Sequence, residues 1–104
     1  MKAIVAREYG PIDLLDYAEW PEPEAKGRNV VVVAEAIGVN FPDGLLVQGL
    51  YQSKPPLPFV PGMEVAGRVI AVGEDVKTIK VGDRVAALST IGGYAERWPR
   101  RKPR

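Results

Sequence analysis

The sequence predicts a mainly β domain, closed or nearly closed into a barrel, with one short helix. Eleven glycines and ten prolines punctuate its 104 residues every few positions, which favours short strands over long helices. Between these breaks lie runs of branched and small apolar residues, the strongest being 29–39 with four consecutive valines, whose side chains suit a pleated surface. One segment alone, 40–50, carries helical spacing. A barrel also removes the exposed edges that several short strands would otherwise leave.

Taken in order, KAIVA (2–6) reads as a first strand and LLDYAEW (14–20) as a second, with PEPEAKGR (21–28) as a turn-rich connector. The valine run 29–39 is the third strand. In NFPDGLLVQGL (40–50), Asn40 is a good N-cap, Pro42 falls in the first turn, and Asp43 complements the helix dipole. Phe41, Leu45 and Leu46 recur at helical spacing, so a short helix is expected, weakened by Gly44 and Gly49. The four prolines of 51–62 deny that stretch a ladder of hydrogen bonds and make it an irregular loop.

MEVAGRVIAVG (63–73) returns to strand. Alternation turns Val65, Gly67, Val69 and Ala71 to one face and Ala66, Arg68, Ile70 and Val72 to the other. Gly67 inside the run predicts a bend or a close backbone approach. A turn and a short extended piece occupy 74–83, RVAAL (84–88) is a further strand, and GGYAERW (92–98) begins another.

Composition narrows the chemistry. The chain has no cysteine and no histidine, which removes disulfides, thiol nucleophiles, Ser-His triads and the common zinc ligand sets. No window approaches the roughly 18 apolar residues of a membrane span, and the N-terminus lacks the apolar centre of a secretory signal; the cytoplasm is the expected compartment. The last eight residues, RWPRRKPR, hold five basic groups and no acid, leaving 9 basic against 13 acidic residues elsewhere. A basic tail is able to meet phosphates, but the body offers no second basic patch, so nucleic acid is disfavoured. Its composition predicts a frayed, disordered tail over 97–104.

Several motifs compete for chemistry. GMEVAGRV (62–69) has the glycine spacing of a phosphate loop, yet Arg68 and Val69 stand where Lys and Ser or Thr are needed, and a bent strand explains it better. No G-x-G-x-x-G occurs, so no dinucleotide fingerprint is present. VGDRV (81–85) reads as a turn entering a strand. Glu64, a carboxylate beside apolar residues, needs a partner in backbone or arginine. Asn40, Asp43 and Tyr51 bring amide, carboxylate and phenol groups around one helix, near apolar Phe41 and Leu45. Capping accounts for Asn40 and Asp43 without a ligand, so spacing alone leaves both readings open.

In order, GVNFPDGLLVQGLY, PPLPFVPGMEVAGRVIAVGEDV, VGDRV and GGYAE resemble the medium-chain dehydrogenase/reductase superfamily. Within it the chain is similar to the N-terminal GroES-like domain of zinc-independent NADPH:quinone oxidoreductases, over about residues 1–96. The resemblance implies a partly open GroES-like β-barrel with one short helix. In zinc-dependent relatives a cysteine falls where Asn40 stands and a histidine where Met63 stands; both are absent, so no metal is implied. By the same resemblance Asn40, Asp43 and Tyr51 are the catalytic candidates, and Asn40, Phe41 and Asp43 the cofactor-binding ones. Together they would line a pocket for the nicotinamide of NADPH and a quinone or activated alkene.

Such relatives continue into a Rossmann domain, and after GGYAE they continue with an apolar strand. RWPRRKPR departs from that frame, so a truncated or frame-shifted product, or an excised domain, is expected. Alone, the chain is expected to bind no cofactor and to carry little reductase activity, since a nicotinamide pocket without pyrophosphate anchoring lacks most of its binding energy. The alternative is a stand-alone GroES-like binding module that self-associates through the exposed cleft face around Phe41, Leu45 and Tyr51.

Overall fold

The computed structural model describes residues 1–101, with side chains as far as Pro99. Its β elements follow the glycine and proline breaks. They are β1 (Lys2–Val5), β2 (Asp16–Glu19), β3 (Asn29–Gly38), β4 (Glu64–Val72), β5 (Arg84–Leu88) and β6 (Arg97–Arg101), with α1 (Phe41–Val47) between β3 and β4. Pro11 leads into a 3₁₀ turn at Ile12–Leu14, which trims the expected second strand to Asp16–Glu19. The helix is one turn shorter than 40–50 because Gly49 takes a positive φ of 75°, a conformation that ends helices and that glycine adopts at no steric cost.

Two antiparallel sheets form, β1-β2 and β5-β4-β3-β6. They join through β1, where Ala3 bridges Ala95 and Ala6 bridges Phe59. Residues 94–96 bond to β1 through Ile4 N–H to Tyr94 O (2.9 Å) and Glu96 N–H to Lys2 O (3.2 Å), and Ala34 N–H reaches Glu96 O at 2.9 Å. The chain thus passes from one sheet to the other at Glu96. The architecture is mainly β with one short helix, as expected, and its two sheets are open.

Alternation on β4 holds through its first half: Val65, Gly67 and Val69 are buried while Ala66, Arg68 and Ile70 are exposed. Val32 pairs with Val69, and Val30 with Val72, with a register shift between them that leaves Ile70 unpaired. A bulge adds one residue to one strand. It therefore turns Val72, not Ala71, toward the core with Val69, correcting the strict alternation. The core there comprises Val30, Val32, Val65, Val69, Ala87 and Trp98. At Gly67 a Cβ would overlap the carbonyl oxygen of Val33, the close approach its position predicted.

Residues 97–101 require a correction. Expected as part of a frayed tail, they pair with β3 from Asn29↔Arg101 to Val33↔Arg97, and Trp98 is 2% exposed within the main core. The indole supplies apolar area that outweighs the charge around it, and Arg97 stays half-buried on Glu22 at 3.1 Å. The end of the expected tail, 102–104, lies outside the described residues.

Candidate functional site

The site is built where β3 hands over to α1. Asn40 is extended (φ −126°, ψ 155°) and precedes a helix with Pro42 in its first turn. The Asp43 N–H donates to Asn40 O at 3.0 Å, and the Asn40 N–H donates to Asp43 Oδ2 at 3.0 Å, one arm of a capping box. The same Oδ2 accepts a second, shorter bond from the Tyr94 hydroxyl at 2.6 Å, within the range of an O–H bond to a carboxylate. Asp43 is 3% exposed, and its Oδ1 has no hydrogen-bond partner. The carboxylate thus has one doubly used oxygen and one open acceptor.

Tyr94 is held on both sides of its peptide. Its N–H donates to Pro61 O at 2.9 Å, and its carbonyl accepts from Ile4. The ring fits only because residue 62 is glycine: a Cβ at Gly62 (φ 109°) would lie 2.6 Å from Tyr94 Cδ1. Burial, and then the bond to Asp43, push the Tyr94 hydroxyl well above the ordinary tyrosine range, so it is a donor at every physiological pH.

Tyr94 and Val39 border a cleft of about 570 Å³ whose walls also include Ile4, Tyr17, Ala34 and Ile37, with Lys2 and Glu96 among its lining. Val39 and Phe41, on either side of Asn40, are 81% and 80% exposed. A half-buried amide therefore stands between two exposed apolar side chains. Lys2 Nζ pairs with Glu19 at 3.0 Å, which raises the lysine and lowers the glutamate. It also lies 5.7 Å from the centre of the Tyr17 ring. This exposed pair contributes little to stability, but it puts a cation among apolar walls.

Of the residues singled out from sequence, Asn40 and Asp43 meet directly and Phe41 flanks them. Tyr51 is placed elsewhere: it packs beyond the other end of α1, against the cluster of Ala6, Leu46, Val47 and Phe59. Tyr94 was missed, although the GGYAE motif contained it; the glycine that gives its ring room is Gly62, 32 residues earlier, which no local spacing links to it. Glu64 is exposed at the start of β4 and lies over Gly38, where a Cβ would overlap it. Because the carboxylate is exposed to solvent, the backbone or arginine partner expected for it is not required. Among the described residues no group of three or more His, Cys, Asp or Glu is placed to hold a metal.

Residues 26–101 match the family described as alcohol dehydrogenase GroES-like domain, and this match runs through β6, the segment expected to leave the family frame. Quinone oxidoreductase of Lama guanicoe is 42% identical over 98 residues, which is 92% of this chain and 30% of the relative. A probable oxidoreductase from Mycobacterium abscessus superposes with a TM-score of 0.91 at 46% identity, covering 97% of this chain and 32% of that one. Escherichia coli quinone oxidoreductase, complexed with NADPH, gives 0.88 at 36% identity, covering 95% and 30%. The chain thus spans about a third of the length of the relatives it matches.

Proposed function

Because the chain belongs to the family of alcohol dehydrogenase GroES-like domains and its homologues are quinone oxidoreductases, we propose that it forms the substrate side of a zinc-independent, NADPH-dependent quinone reductase in the cytoplasm. The observation that carries this is the polar set at the start of α1, an asparagine whose backbone N–H is held by a buried carboxylate and which is flanked by exposed Val39 and Phe41. A flat, apolar ring with carbonyl acceptors suits that arrangement. Quinones and activated alkenes are such molecules.

The residues present fit one end of the cofactor. Exposed Phe41 and Val39 offer apolar area for the nicotinamide ring, and Asn40 offers donor and acceptor groups for its amide. Nothing among the described residues offers the glycine-rich turn that would hold the pyrophosphate. When bound, NADPH supplies the hydride. The protein's own part is to orient the acceptor: the Asn40 amide donates to the quinone oxygen on which charge develops, and preorganised donors in a water-poor site are effective there. Phe41 excludes water from that oxygen, and Asp43 holds the Asn40 backbone. Tyr51, packed beyond the far end of α1, keeps a proposed role as a phenol donor.

Amide NMR, calorimetric and absorbance titrations of the chain with NADPH and duroquinone test this. We expect the amides of Val39, Asn40 and Phe41 to shift on adding duroquinone, with no detectable turnover of NADPH by the chain alone. Failure of duroquinone to perturb these amides would defeat the substrate assignment. Turnover at the rate of complete enzymes would defeat the inactivity of the isolated chain. A second reading, self-association through the same face, is favoured by the exposure of Tyr17, Val39 and Phe41; sedimentation at rising concentration separates it, since a clean monomer counts against it.

A further inference from the structure

The buried carboxylate of Asp43 has an asymmetry that capping alone does not require. A capping residue at this position needs only the Asn40 N–H, which Oδ2 accepts at 3.0 Å. Here Oδ2 also accepts from Tyr94 at 2.6 Å across 51 residues of sequence, while Oδ1 accepts nothing. A carboxylate is symmetric about its own axis, so one donor leaves its rotation loosely determined. Two donors converging on one oxygen fix it.

From this convergence we infer that Tyr94 is the positioning residue of the site: its hydroxyl locks the Asp43 carboxylate, and the locked carboxylate sets the backbone of Asn40, the residue that follows Val39 of the cleft wall. The phenol itself is occupied. Its proton is committed to Asp43, and its ring is clamped by Gly62, where no Cβ fits. Tyr94 also borders the 570 Å³ cleft beside Val39, so the residue that orients Asn40 shapes the adjoining wall. Tyr51, packed with Phe59 and Leu46, has no comparable hold on Asn40. The consequence for ligand binding rests on the proposed quinone site; the lock itself does not.

The test is amide NMR of the chain, free and with duroquinone, for wild type, Tyr94→Phe and Tyr9→Phe. Tyr9 donates to Pro55 O and serves as a phenol whose loss leaves Asn40 in place. Tyr94→Phe keeps the ring and removes the donor. We expect it to move the Asn40 amide resonance and to speed its hydrogen exchange by about tenfold, the equivalent of one charge-assisted bond. Duroquinone affinity should fall by about the same factor, and Tyr9→Phe should change neither. If Tyr94→Phe does not fold, Asp43→Asn, which weakens the acceptor, is expected to move the same amide. An Asn40 amide unmoved by Tyr94→Phe, or by Asp43→Asn where Tyr94→Phe does not fold, overturns the lock. An amide that moves with duroquinone affinity unchanged overturns the positioning role. If wild type fails to bind duroquinone while the amide still responds to Tyr94→Phe, the quinone assignment falls and the lock stands.

Discussion

Replacing Trp98 by alanine tests the placement of β6 most directly. Trp98 is 2% exposed and packs with Val30, Val32, Val65, Val69 and Ala87. A tryptophan buries up to roughly 250 Å², and at about 25 cal/mol per Å² that sets an upper bound near 6 kcal/mol. Measured truncations of this kind cost about 3–5 kcal/mol once partial relaxation is included. A chain of this length is stable by about 5–15 kcal/mol in total, so the variant should lose much of its margin. At about 4–8 °C per kcal/mol, Tm should fall by roughly 12 °C or more. Circular dichroism melts would measure it, with Trp98→Phe as a milder step expected to lose about 1–2 kcal/mol. Removing residues 97–104 should cost at least as much as Trp98→Ala. A frayed tail would lose nothing from either change, and a Tm within a degree or two of wild type would refute the packing described for β6.

Three further outcomes are expected. Gly67→Ala should destabilise by about 3 kcal/mol or more, because the clashing atom is the Val33 backbone carbonyl in the central strand pair; an unchanged urea midpoint would show that the strands separate freely. Gly44→Ala, with nothing within 4 Å of the new Cβ, should instead raise stability by about 0.5–1 kcal/mol through helix propensity, and a loss would mean that α1 is not helical there. The Tyr94 hydroxyl is held above its unfolded value of about 10, so its contribution is complete below that pH and is lost as pH rises through the folded value. The stability gap between wild type and Tyr94→Phe should therefore be flat at neutral pH and shrink above about pH 10; a gap that widens there would contradict the assigned direction.

What the sequence determined by itself was local. Glycine and proline spacing bounded the strands, Asn40, Pro42 and Asp43 marked the start of α1, and Gly67 announced a close approach of backbones. These follow from short-range sterics and capping, which act within a few residues. The lack of cysteine and histidine removed the common zinc ligand sets before any fold was known. Tertiary structure decided the rest. The bulge at Ile70 brought Val72 into phase with Val69, Trp98 drew a run of arginines into the sheet, and Tyr94 reached Asp43 across 51 residues. Each of these depends on which distant strand lies alongside, and apolar area buried in that pairing outweighs what local composition prefers. Asn40 was legible as a cap from its neighbours; that its orientation is set by a tyrosine near the other end of the chain is a property of the packed domain alone.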